Sequence, residues 1–149
     1  MTEIRFYHLQ KQRLEDALPG LLEKARERGH RIVVQAGSAE RVKMLDAFLW
    51  THRPETFLAH AAGPASSAPE QPIWLTAMEE CPNGADLLIL VDGAAADPAP
   101  YALCCEMFDG LDDGAVDAAR QRWAAHKAAG HTLTYWQQTD RGGWEKRAG

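Results

Sequence analysis

Leu87-Leu88-Ile89-Leu90-Val91 is a run of five aliphatic residues, too short to cross a bilayer and flanked by Asp86 and Asp92. A strand points alternate side chains to opposite faces, so a run that is apolar throughout needs cover on both. This stretch predicts the middle of a sheet sandwiched between two layers. Working outward, Ile73-Trp74-Leu75-Thr76, Arg31-Ile32-Val33-Val34-Gln35, Ile4 to Leu9 and Thr132 to Trp136 read as further strands from their β-branched and aromatic content. Between them lie helical patterns. Leu14, Leu18, Leu21, Leu22 and Ala25 recur at helical spacing, with Pro19 expected to kink or divide the helix and Gly29 placed to stop it. Ser38 is a candidate N-cap for a second helix carrying Val42, Leu45, Phe48 and Leu49, expected to end near His52 because Pro54 disfavours helix before it. Leu111 to Ala129 reads as a third helix, started by Asp112 and Asp113 and closed by Gly130. Tyr101 to Phe108 fits either a strand or a short helix, and Ala61 to Pro72 reads as a surface loop.

Strands alternating with helices imply one α/β layered domain with a mostly parallel sheet. The length of 149 residues suits a single core. We place the domain at 1–139, with 140–149 as a polar C-terminal tail. The N-terminus lacks an apolar leader pattern, and three cysteines including the adjacent pair Cys104-Cys105 make no disulfide framework. A cytoplasmic protein is expected.

The net charge of −5 argues against a nucleic-acid grip, which would show a basic excess. That sum conceals a partition. Residues 1–53 hold 10 Lys and Arg against 7 acids; residues 54–119 hold 12 acids with no Lys or Arg; residues 120–149 hold 6 basic and 2 acidic side chains.

Catalytic patterns are sparse. The Gly37-Ser38 turn follows a strand and opens a helix, where a phosphate loop would sit, but one glycine without a following lysine falls short of such a loop. The six histidines show no metal-ligand spacing, and Gly37-Ser38-Ala39 is not a nucleophile elbow. What stands out is a surface. Val116, Arg120, Trp123 and Lys127 share one helical stripe, and Trp50 lies near His52-Arg53. Guanidinium groups beside large apolar side chains suit an acidic peptide with an aromatic end.

Three stretches carry a family likeness: Arg5-Phe6-Tyr7-His8-Leu9, then Leu45-Asp46-Ala47-Phe48-Leu49-Trp50 with Phe57 and His60 after it, then Ala119-Arg120-Gln121-Arg122-Trp123 followed by Ala129-Gly130. In this order they resemble the chi subunit of bacterial DNA polymerase III. The resemblance implies a Rossmann-like α/β domain with no cofactor, no metal and no catalytic site of its own. It implies two protein partners: the psi subunit, which joins chi to the clamp loader, and the acidic, phenylalanine-ended C-terminal tail of single-stranded DNA-binding protein. In some bacteria a helicase-like repair protein is a further partner. Residue by residue, Arg120 is expected to hold the tail carboxylate, with Trp50, Phe108 and Trp123 around the terminal phenylalanine. Val116 stands where the family can present a lysine, so Arg122 or Lys127 is expected to supply charge. Phe57 and Leu58 are the candidates for the psi side. The rival reading is a small enzyme taking a nucleotide or phosphorylated substrate at Gly37-Ser38.

Overall fold

The fold is built around the aliphatic run. In a computed structural model, which describes residues 2–51, 60–61 and 71–148, Leu87–Leu90 forms β5, buried along its whole length. The other elements are β1 (Glu3–Leu9), α1 (Leu14–Glu27), β2 (Ile32–Gln35), α2 (Ala39–Thr51), β3 (His60–Ala61), β4 (Ile73–Thr76), β6 (Leu103–Asp109), α3 (Asp113–Ala128), β7 (Thr132–Gln138) and β8 (Trp144–Ala148). They form one eight-stranded sheet in the order β3-β4-β2-β5-β6-β1-β7-β8. All pairings are parallel except β7 with β8.

Strand alternation divides the core into two clusters. Ile32 and Val34 of β2, Leu87 and Ile89 of β5 and Cys105 and Met107 of β6 face α1 and α2, meeting Leu18, Leu22, Val42, Leu45 and Leu49. Val33, Leu88, Leu90, Cys104 and Phe108 point the other way, where Ala119 of α3 is buried with them. This is a three-layer α/β domain, as the unbroken aliphatic run implied. Burial pushes the Cys105 thiol up to about 12 and raises that of Cys104 as well, so both pack as small apolar groups.

Several local expectations resolve here. Tyr101 to Phe108 yields a strand, because its apolar residues alternate between both clusters. Pro19 does not divide α1, which runs on through Glu27 with Pro19 buried inside it. Asp112 caps α3, its carboxylate accepting from the backbone N–H groups of Gly114 and Ala115 at 2.9 and 3.3 Å. Residues 140–149, read as a polar C-terminal tail, contain β8: Trp144–Ala148 pairs with β7, and Trp144 makes a T-shaped contact with Tyr7, ring centroids 4.9 Å apart. The loop expected at 61–72 and the end of α2 near His52 lie largely outside the described residues.

Candidate functional site

The chain leaves β1 towards α1 on one face and leaves β6 towards α3 on the other, although β1 and β6 are neighbours. Such divergence opens a crevice at the carboxyl ends of the strands. His8 of β1 stands there opposite Phe108 of β6. Gly110 crosses the gap, its N–H donating to the Leu9 carbonyl at 2.7 Å. A Cβ on Gly110 would lie 2.0 Å from the His8 ring, so only glycine lets the chain pass this close. A cavity of about 350 Å³ beside it is lined by Leu9, Asp109 and Leu111 and by the Arg41–Asp92 ion pair.

On the α3 side the aromatic rings assemble. His8 meets Phe108 and Tyr135 with centroids 5.2 and 5.8 Å apart, and Trp123 meets Phe6 and Tyr135 at 5.4 and 6.0 Å. The His8 Nδ1 and the Tyr135 hydroxyl lie 2.5 Å apart. Phe108 is buried, whereas Trp123 and Val116 are half-buried against the same cluster. Arg120 is exposed on α3, and among the described residues it has no acidic partner. Its charge is nevertheless felt: burial and then the Arg120 guanidinium lower the His8 pKa below its ordinary value. Burial raises that of the Tyr135 phenol against the pull of the same guanidinium. An unpaired guanidinium at the rim of half-buried rings suits a carboxylate attached to an apolar side chain.

The expected charge donors differ in availability. Arg122 is committed to the carboxylate of Glu106, which is buried on β6. His126 Nε2 lies 3.3 Å from the second oxygen of that carboxylate. Burial raises the Glu106 pKa, and Arg122 and His126 oppose the shift. Arg122 thus anchors α3 to the sheet and is not a free cation. Lys127 is exposed in the last turn of the same stripe.

Trp50, grouped with Arg120 by sequence, does not join it. It is half exposed at the end of α2, which packs on the Ile32/Val34 face, with the sheet between it and α3. The two residues that the resemblance groups at one site therefore lie on opposite faces of the sheet. Helical spacing defines a face of each helix, and the crossovers sent these two helices to opposite layers. Phe57, Leu58 and Arg53 lie outside the described residues. Tyr135 was missed as a site residue; its neighbourhood to Trp123 arises only because β7 is placed beside β1 under α3. His8 belongs to the first of the family-like stretches, but no local pattern marks its ring.

At the Gly37-Ser38 turn, the Ser38 hydroxyl accepts from the Arg41 N–H at 3.2 Å, as a cap does. A Cβ on Gly37 would stand 3.1 Å from the Asp92 carbonyl, so backbone closes over the turn. Among the described residues no three His, Cys, Asp or Glu side chains gather as a metal site, and no helix is long and apolar enough to cross a membrane.

A family model described as DNA polymerase III chi subunit, HolC, matches residues 1–134. The chain is also similar to a probable DNA polymerase III subunit chi of Rickettsia prowazekii (strain Madrid E), at 25% identity over 91 residues. That alignment takes in 61% of this chain and 55% of the relative, so the chain spans about half of that protein's length.

Proposed function

Since the chain belongs to the family of DNA polymerase III chi subunits, we propose that it is a non-catalytic, cytoplasmic accessory subunit that couples the clamp loader to single-stranded DNA-binding protein. In this reading psi joins it to the clamp loader, and Phe57 and Leu58 are the candidates for that contact. The acidic, phenylalanine-ended tail of single-stranded DNA-binding protein docks on α3. Arg120 holds the tail carboxylate, while Val116, Trp123 and Tyr135 form the apolar wall over buried Phe108. Lys127 extends the positive edge along the same stripe, and the protein reaches DNA only through that tail.

The observation that supports this most is Arg120, exposed beside half-buried rings and without an acidic partner among the described residues. Titration with a synthetic acidic peptide ending in Pro-Phe tests it. Micromolar binding that weakens with salt and with Arg120→Ala is expected. Absence of binding, or binding indifferent to that substitution, defeats the tail reading.

A further inference from the structure

A second cleft lies on the opposite side of the sheet. A groove of about 940 Å³ runs between α1 and the β7–β8 hairpin. One wall is α1 with its two capping residues, where Arg13, Ala17, Gly20, Lys24 and Arg28 recur at spacings of three and four. The floor is the sheet, with Tyr7 and Cys105 beside aliphatic Leu87 and Leu103. The far wall is Trp136, Trp144 and the Gly142-Gly143 turn. This wall lies beyond residue 134, where the family match stops.

The hairpin is held in place. Gln138, buried at the end of β7, accepts from the backbone N–H groups of Gln10, Lys11 and Gln12 at 3.2, 2.8 and 3.0 Å. Its amide donates to the Gln12 side chain at 2.8 Å. One buried amide thus ties the segment entering α1 to the hairpin that faces it.

The charge of the groove is one-sided. Asp16 is the one acid lining it among the described residues, and it is paired with Arg13 at 3.2 Å. Arg5 is paired with Glu3 at 2.6 Å. Lys11, Lys24 and Arg28 have no acidic partner among the described residues. Gly20 is a further sign. Glycine inside a helix costs about 1 kcal/mol relative to alanine, yet a Cβ at Gly20 would meet nothing within 4 Å. Packing does not demand glycine there; its effect is to keep the wall open.

We propose that this groove docks an acidic segment of a partner protein, with aliphatic or aromatic side chains seated on the floor and carboxylates on Lys11, Lys24 and Arg28. The site is separate from the α3 surface and does not depend on it. A peptide is favoured over a nucleic-acid strand because aliphatic Leu87 and Leu103 make up part of the floor, a surface that takes apolar side chains rather than stacked bases. A chain of net charge −5 also lacks the broad basic field that collects polyanions.

The test is selection of a random twelve-residue peptide display library against the full chain, followed by anisotropy measurements on the enriched peptides. Enriched sequences should place Asp or Glu around Leu, Ile or Phe. Their Kd should rise at least about tenfold in Gly20→Glu and in Lys24→Glu/Arg28→Glu, and stay unchanged in Arg120→Ala. Gly20→Arg separates charge from bulk: it should weaken binding by filling the groove while thermal melting confirms that the fold is kept. Enrichment without acidic residues, affinity indifferent to every groove substitution, or no enrichment overturns the proposal. So does tight binding of a 20-nucleotide oligo-dT that Gly20→Glu abolishes, which would make the groove a nucleic-acid channel. Loss through Arg120→Ala alone would return the peptides to the α3 site.

Discussion

Arg120 on α3 and Lys24 on α1 are both exposed cations beside tryptophan-bearing clefts, yet they stand on opposite faces of one sheet and in different surroundings. Around Arg120 the rings are closely packed: Phe6, His8, Phe108, Trp123 and Tyr135 make an almost continuous aromatic layer. In the proposed reading, that layer takes one terminal side chain and its carboxylate. Around Lys24 the groove of about 940 Å³ has a mixed aliphatic and aromatic floor, which in the proposed reading takes several residues in succession. The difference teaches that cations alone do not define a site. Their spacing, and the shape of the apolar surface between them, decides how long a ligand each face can hold.

The firmest way to break the α3 side is to remove its anchor. Arg122→Met strips the buried Glu106 carboxylate of its guanidinium partner and is expected to cost about 3–5 kcal/mol at neutral pH by urea denaturation. The sign of its pH dependence follows from the raised Glu106 pKa. The folded protein takes up this proton at a pH where the unfolded chain remains ionised, so the native state binds more protons. Without Arg122, which opposes the rise, the folded Glu106 pKa climbs further, so the loss of stability should shrink as pH falls through that higher value. A loss independent of pH would mean that Glu106 is not its source.

On the groove side, Trp144→Ala removes a half-buried ring packed on Tyr7 and should cost about 2 kcal/mol. Faster amide exchange should be confined to β8 and its partner strand, with tail-peptide binding at Arg120 unchanged. Weakened tail binding would show that the two faces are coupled. Gly20→Ala acts in the opposite direction. It should raise stability by up to about 1 kcal/mol, read as a higher Tm, because the helix gains propensity and the methyl meets open space.

The smallest effect on stability is expected from Arg120→Ala, within about 0.5 kcal/mol for an exposed side chain. Its signature is electrostatic. Without the guanidinium, His8 should titrate at a higher pH by NMR, because Arg120 is the second cause of its depression after burial. A depressed histidine favours the folded state above its ordinary pKa and loses that contribution as pH falls through the folded value. The variant should accordingly tolerate mild acid slightly better. An unmoved His8 would place Arg120 away from the ring cluster.

Much of the architecture was legible because it is written in short-range periodicity. Leu87 to Val91 declared a sheet covered on both faces, and the spacing of Leu14, Leu18 and Leu22 declared a helix buried on one side. The stripe of Val116, Arg120, Trp123 and Lys127 was equally visible, since a helix repeats every 3.6 residues whatever surrounds it. Composition misled at the C-terminus. Trp144-Glu145-Lys146-Arg147 reads as polar tail, yet it closes a hairpin because a single indole finds Tyr7, which is more than a hundred residues away in the chain.

What the amino-acid order determined by itself is therefore which residues share a helix face or a strand side, together with the family likeness of three short stretches. The tertiary structure alone decided which faces meet. It put Trp50 and Arg120 on opposite layers, engaged Arg122 with a buried Glu106, set His8 and Tyr135 under α3, and opened the groove between α1 and β8. The reason is physical. Local periodicity is fixed by backbone geometry within a few residues, whereas strand order and crossover direction follow from burying every apolar face at once.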